Sequence, residues 1–288
     1  MLSPARLRCE SFRIRDPMEH TQVDDKLLAA TVNVSIVDTE TTGLGPGSDE
    51  VIGLAILCLR VDRASGRVLG AVGEASQCQE PGRMSPAAES ITRLQRRDLA
   101  GRRFDRHAVD ALLAVTDLVV AHNAAVDRPF LEPMFPALEE LPWACSLTDI
   151  DWRGQGLPEP SIDGLLDRYG LAPSDGTPRS DCQALARILA MPLPGTGGTG
   201  LSRLIAAAAT VRVVCELPEG VSPEARTILS SLGFVTDGKR WCVDCADDGQ
   251  ALLVEMALID HAVGDEAFAE LRMWRVDAKA RFSGRAGP

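Results

Sequence analysis

The stretch Ser35-Ile-Val-Asp-Thr-Glu-Thr-Thr-Gly43 restricts what this chain can fold into more than any other. Val32, Val34, Ile36 and Val37 make an apolar, β-branched run, as a buried strand requires. The run leads into Asp38 and Glu40, spaced i, i+2. Side chains alternate along a strand, so this spacing puts both carboxylates on one face. Adjacent carboxylates repel one another, and a fold seldom sets them side by side without a cation between them. Oxygen-only donors suit Mg²⁺ or Mn²⁺. Taken alone, Asp-x-Glu reads more readily as the solvated end of a strand. The context shifts that balance. Thr41, Thr42 and Gly43 turn the chain sharply out of the strand, and further acids recur at the ends of later elements.

At 288 residues the chain exceeds the usual single-domain size, which predicts two domains. Residues 1–30 are charged and irregular and read as an extension. Glu50 to Val61 is a long apolar strand and Arg67 to Ala75 a weaker one, together an antiparallel meander with the first. Helices are expected over about 87–94 and 105–115. Asp117 to Ala121 is a short buried strand, followed by His122-Asn-Ala-Ala-Val-Asp127 at a helix start. Trp143 to Leu147 reads as a strand and Ser161 to Tyr169 as a helix stopped by Gly170. Thr177-Pro178 is a cap and first-turn signature that sets Asp181 near the start of the next helix. Met191-Pro-Leu-Pro-Gly-Thr-Gly-Gly-Thr-Gly200 reads as an exposed, flexible linker. Beyond it, from Val211, the order β-α-β-β-α-β predicts a small α+β domain of the split βαβ, ferredoxin-like kind. The expected layout is thus 1–30 extension, 31–190 first domain, 191–200 linker and 201–288 C-terminal domain.

The net charge is −11, which argues against coating nucleic acid through bulk electrostatics. It does not argue against seating one strand end in a small site. A basic cluster (Arg93, Arg96, Arg97, Arg102, Arg103, Arg106) reads equally as a solvated face or as a phosphate-contacting patch. The eight cysteines form no disulfide framework and several sit in apolar patterns, as free thiols in a reducing compartment do. Cys242-Val-Asp-Cys245 lies in a strand-like run, where i and i+3 point to opposite faces, which disfavours a zinc or redox site. No secretory signal pattern opens the chain and no apolar stretch reaches membrane-span length, so the expected location is cytoplasmic, away from membranes.

Asp38-Thr-Glu40-Thr-Thr-Gly-Leu44, His122-Asn-Ala-Ala-Val-Asp127-Arg-Pro-Phe-Leu and Asp181-Cys-Gln-Ala-Leu-Ala resemble the three motifs of the DEDD (DnaQ-like) 3′–5′ exonucleases. That superfamily includes the epsilon subunit of bacterial DNA polymerase III, and the likeness spans about residues 31–190. Trp143-Ala-Cys-Ser, Ile150-Asp-Trp152 and the closing run Asp277-Ala-Lys-Ala-Arg-Phe-Ser-Gly-Arg285 are similar to a branch of epsilon-like proteins with an extra C-terminal domain. The resemblance implies an RNase H-like mixed sheet with flanking helices. It implies Asp38, Glu40, Asp127 and Asp181 as catalytic ligands of two Mg²⁺ or Mn²⁺ ions, about 3.5–4 Å apart in such sites. It further implies that Thr41, Thr42, Gly43, Leu44, His122 and Asn123 contact substrate, and Arg93 of the basic cluster is expected as a further substrate contact. The expected partner is a nucleic-acid 3′ end, single-stranded DNA or RNA, with a DNA polymerase or repair protein as a second partner class.

The departures matter as much. The general-base histidine of the third motif falls at Gly176, and the tyrosine of a variant motif falls at Thr177, so neither base is present. Arg93 stands where relatives carry Gly, Gly53 where they carry an acid, and Val126 where they carry Phe. His122 belongs to the second motif and reads as a packed or capping residue. Two functions stay open: a slow metal-dependent 3′–5′ exonuclease, or a pseudo-exonuclease that binds nucleic acid or a replication or repair protein without fast cleavage. Metal-dependent release of mononucleotides separates them.

Overall fold

The computed structural model describes residues 13–14, 30–217, 223–236, 240–262, 271–284 and 286–287. The chain divides into two compact units, 1–205 and 206–288.

The first unit is built on one sheet. Its strands are β1 (Arg13–Ile14), β2 (Thr31–Thr41), β3 (Val51–Asp62), β4 (Val68–Cys78), β5 (Leu118–Ala121) and β6 (Trp143–Cys145), in the order β1-β4-β3-β2-β5-β6. β2, β3 and β4 form the expected antiparallel meander, with Ile36 opposite Leu57 and Leu57 opposite Glu74. β5 and β6 then add parallel to β2, with Val34 opposite Leu118 and Val119 opposite Trp143. The five strands β4-β3-β2-β5-β6, with only β3 reversed, make the RNase H-like mixed sheet.

Burial explains why the central strands read as near-continuous apolar runs. Val34, Ile36, Ile52, Cys58, Val61, Val119 and Val120 are all sealed from solvent, because helices cover the sheet. Those helices are α1 (Pro86–Thr92), α2 (Arg96–Leu99), α3 (Arg106–Leu113), α4 (Ala124–Leu131), α5 (Ile162–Arg168) and α6 (Pro178–Ala190), with a 3₁₀ turn at Pro136–Glu139. Their starts follow capping chemistry. Ser85, Asp105, Ser161 and Thr177 each accept an amide from the first turn of the helix that follows. α6 is the helix that positions the site. Leu185, Ile188 and Leu189 bury one face, and the Cys182 thiol reaches the main-chain oxygens of Ile36 and Ala55 at 3.5 and 3.6 Å. Its first turn therefore lies over β2 and β3.

The 191–200 run is more than a tether. Pro192 and Thr199 form a β-bridge, and Leu193 between them is buried. Gly195 N–H donates to the Gln155 side chain at 2.8 Å, and the Tyr169 hydroxyl donates to the Pro192 oxygen at 3.3 Å. The division between units falls downstream of the run, within α7 (Gly200–Ala208).

The second unit carries β7 (Val211–Glu216), α8 (Pro223–Ser231), β8 (Val235–Thr236), β9 (Arg240–Cys245), α9 (Asp248–Ala262) and β10 (Arg272–Val276). The sheet order is β10-β7-β9-β8, antiparallel throughout. This is the split βαβ topology anticipated from the element order. Asp237-Gly238, a hairpin-turn pair by sequence, lies outside the described residues. Val213, Cys215 and Cys245 pack with Ala225, Leu229, Ala251 and Leu258 of the two helices, so one sheet face carries the core. Cys242 is only half-buried and does not join that cluster. The closing run 277–287 is tied to the same unit. Arg281 is 2% exposed and donates to Ala207 O, Thr210 O and Thr210 Oγ1 at 3.0, 3.0 and 2.8 Å, and Trp274 Nε1 donates to Ala286 O at 2.8 Å. No helix among the described residues is long and apolar enough to cross a membrane.

Candidate active site

The site begins where β5 ends. Pairing between β2 and β5 stops at Val37 opposite Ala121, while β2 continues through Asp38, Thr39 and Glu40. That edge of β2 is open to the start of α4, which follows β5 directly. Asp127, in the first turn of α4, fills it: the Thr39 hydroxyl donates to Asp127 Oδ1 at 2.7 Å, and the Thr39 backbone also hydrogen-bonds the carboxylate. On the other side of β2, Glu40 lies opposite Gly53 of β3. A Cβ at Gly53 would meet the Glu40 Cβ at 3.2 Å and Pro178 Cγ at 3.4 Å. Glycine there lets the Glu40 side chain and the start of α6 come close to the sheet. Asp181 in the first turn of α6 accepts a hydrogen bond from Ser174 Oγ. Acids in helix first turns also sit where the helix dipole favours negative charge.

The carboxylates feel one another. Burial first, then the charges of Asp127, Asp181 and Glu40, holds Asp38 well above the usual carboxylate range. Burial, with Asp181 and Asp127 adding, pushes Glu40 up to about 7, against the opposing pull of Arg93. Burial lifts Asp127 to about 6 although the Thr39 hydrogen bonds oppose it. Asp181 is raised by burial, opposed by the Ser174 hydrogen bond and, more weakly, by Arg93. Four acids from three segments thus share one field. The donors are all hard oxygens, which fits Mg²⁺ or Mn²⁺ in kind. Among the described residues, no three His, Cys, Asp or Glu side chains close round a single metal-ligating point in this conformation.

The other expected contact residues differ in how they are engaged. Thr41 Oγ1 donates to Gly43 O at 2.6 Å, and Thr42 Oγ1 donates to Asp49 while accepting Glu50 N–H at 2.9 Å, so both threonines shape the exit loop. A Cβ at Gly43 would lie 2.5 Å from the Asp49 carboxylate, so a larger residue there would displace that side chain. Leu44 is 85% exposed at the loop tip. His122 Nδ1 lies 2.8 Å from Ser146 Oγ, and burial lowers its pKa, which fits the packed histidine expected there. Asn123 caps α4 with a left-handed backbone, φ +85°, and without a side-chain cap bond, unlike the ordinary cap its type suggested. An open cleft of about 760 Å³ adjoins the exit loop, lined by Thr42, Asp49, Glu50, Arg83 and Met84 among others.

Sequence reasoning missed Thr39 and Ser174, which hold Asp127 and Asp181. Thr39 carried a signal, lying between the two acids. Ser174 carried none, because the loop before Thr177 has no periodic pattern. Gly176 has φ +74°, and a Cβ built there would lie 2.9 Å from Arg93 Nη1.

The fold and this acidic site define an RNase H-like domain with clustered carboxylates where its sheet meets the first turns of two helices. No family model matches the chain, and no curated protein matches it. Among solved structures, it is similar to Exonuclease X in complex with 5′ overhanging duplex DNA: TM-score 0.45, 23% identity, 59% of this chain and 97% of that one covered. It is also similar to a 3′-exonuclease in a structure described as 3′-end specific recognition of histone mRNA stem-loop: TM-score 0.43, 12% identity, 58% of this chain and 84% of that one covered.

Proposed function

We propose that this chain is a metal-dependent 3′–5′ exonuclease of the DEDD kind, acting on nucleic-acid 3′ ends, with single-stranded DNA as the first substrate to test. The observation that carries the reading is the placement of acids far apart in sequence round the end of β2: Asp38 and Glu40 on the strand, Asp127 held by the Thr39 hydroxyl, and Asp181 in the first turn of α6. In this reading Asp38, Glu40, Asp127 and Asp181 would hold two Mg²⁺ or Mn²⁺ ions. The bound ions supply the charge that activates water and stabilises the leaving oxygen. Thr39 and Ser174 orient Asp127 and Asp181 through their hydroxyls. Leu44, at the rim, offers an apolar surface to a terminal base. The product is a nucleoside monophosphate.

A second reading rests on one specific observation. The backbone at Gly176 is left-handed and its Cα is covered by Arg93, so no imidazole projects from that position. A positioned general base contributes about 10²–10⁴-fold in rate. The chain would then be slow, or would bind a strand end or a replication or repair protein without turning over.

The test is degradation of a 5′-labelled single-stranded oligonucleotide with Mn²⁺, beside an Asp38→Ala control. Stepwise shortening with release of mononucleotides, lost in the control, supports the enzyme. Binding without shortening supports the second reading. Neither binding nor shortening, on DNA or RNA, removes both.

A further inference from the structure

Arg93 is the member of the basic cluster whose charge reaches the acids, acting on Glu40 and Asp181. Arg96 donates to Gly82 O at 3.1 Å, Arg102 to Asp98 O at 2.7 Å and Arg106 to Met134 O at 2.6 Å, each binding its own neighbourhood. Arg93 makes one longer bond, Nη1 to Asp175 O at 3.3 Å, and its side chain is exposed. Its backbone is left-handed, φ +57°, at the C-cap of α1, where glycine is the default. The guanidinium lies over Gly176, where a Cβ would come within 2.9 Å of Nη1 and push it aside. It is close enough to act on Glu40 and Asp181, yet among the described residues it is ion-paired with neither. The site thus presents a planar fork of N–H donors beside carboxylates that it does not itself engage. A tetrahedral dianion placed between them meets the guanidinium in the geometry for which arginine is suited.

We propose that Arg93 is the phosphate-recognising residue of this site, and that glycine at 176 makes room for its guanidinium. The proposal rests on the exonuclease reading and deepens it, since it names the atoms of the nucleotide that the protein itself grips. It also gives the unfavourable backbone at position 93 a purpose: arginine is kept where glycine would be easier.

That last point supplies a test that separates function from structure. Thymidine 5′-monophosphate and thymidine are titrated into the full chain with Mn²⁺, and melting temperatures are recorded. Wild type should prefer the monophosphate. Arg93→Gly should cut that preference about tenfold, leave thymidine affinity unchanged and not lower the melting temperature, because glycine suits the left-handed backbone. Arg93→Lys should recover part of the preference, since charge remains and the fork is lost. An Arg93→Gly protein that keeps the full preference overturns the proposal. So does one that melts earlier and loses monophosphate and thymidine alike, which marks a structural residue. If wild type degrades single-stranded DNA while Arg93→Gly keeps the preference, only this proposal falls. If wild type neither binds the monophosphate nor degrades DNA, the exonuclease reading falls and takes this one with it.

Discussion

At the scale of the residue, the carboxylates carry the first prediction. The unfolded chain releases their protons near the ordinary carboxylate values, about 4. The folded chain holds them higher, to about 6 at Asp127 and about 7 at Glu40. Between those limits the native state binds more protons, so metal-free stability should fall as pH rises from about 4 to about 7. A divalent cation removes the repulsion by binding the native state alone. Mn²⁺ should therefore raise the melting temperature more at pH 7.5 than at pH 5, and less in Asp38→Ala. Equal shifts at both pH values and in both proteins would remove the metal assignment. The second prediction concerns Gly176→His. A residue with a Cβ at φ +74° costs about 1–2 kcal/mol, and overlap with Arg93 adds to it. The variant should lose stability and gain no activity, with part of the stability returning in the Arg93→Gly/Gly176→His double variant. A rise in cleavage rate with the single change would show that Arg93 moves aside easily. The acids were legible in the sequence because strand alternation and helix starts are local. The Arg93–Gly176 contact was not, because it joins two left-handed residues from remote loops, and no periodicity records backbone hand.

Elements were legible to the extent that they follow local rules. The meander, the helix caps at Ser161 and Thr177, and the split βαβ order all come from patterns a few residues long. α2 was not foreseen, since Arg96–Leu99 is a single short turn with no apolar face to read. The closing run 277–287 is the element whose role only the structure makes clear. Arg281 carries the last carbonyls of α7, at Ala207, and of the turn after it, at Thr210, from inside the unit. Replacing it by Ala removes charge-assisted hydrogen bonds to Ala207 O and Thr210 and empties a buried side-chain position, a loss on the order of 2–4 kcal/mol. Urea unfolding followed by tryptophan emission, with Trp241 and Trp274 in this unit, should shift accordingly. A midpoint within error of wild type would show that the run rests on the unit without holding it.

For the whole molecule, composition misplaces the working boundary. Glycine and proline mark a linker by rule, and composition does not register one buried leucine or a bridge across the run. Ser65 O accepts from Thr199 Oγ1 at 3.2 Å, and a Cβ on Gly200 would meet Leu189 Cδ2 at 2.7 Å, so 191–200 is fastened to the first unit. A fragment ending at residue 205 should melt well above one ending at residue 190. Equal melting temperatures would return the run to the status of a tether. The outer strands have a consequence for crowded solutions. β6 is three residues long and β8 two, and each closes one side of its sheet. A strand of that length offers too few unpaired main-chain groups to template another chain. Along those borders the protein should therefore resist strand-to-strand aggregation at high concentration, with sheet growth beginning only after one of the units has opened.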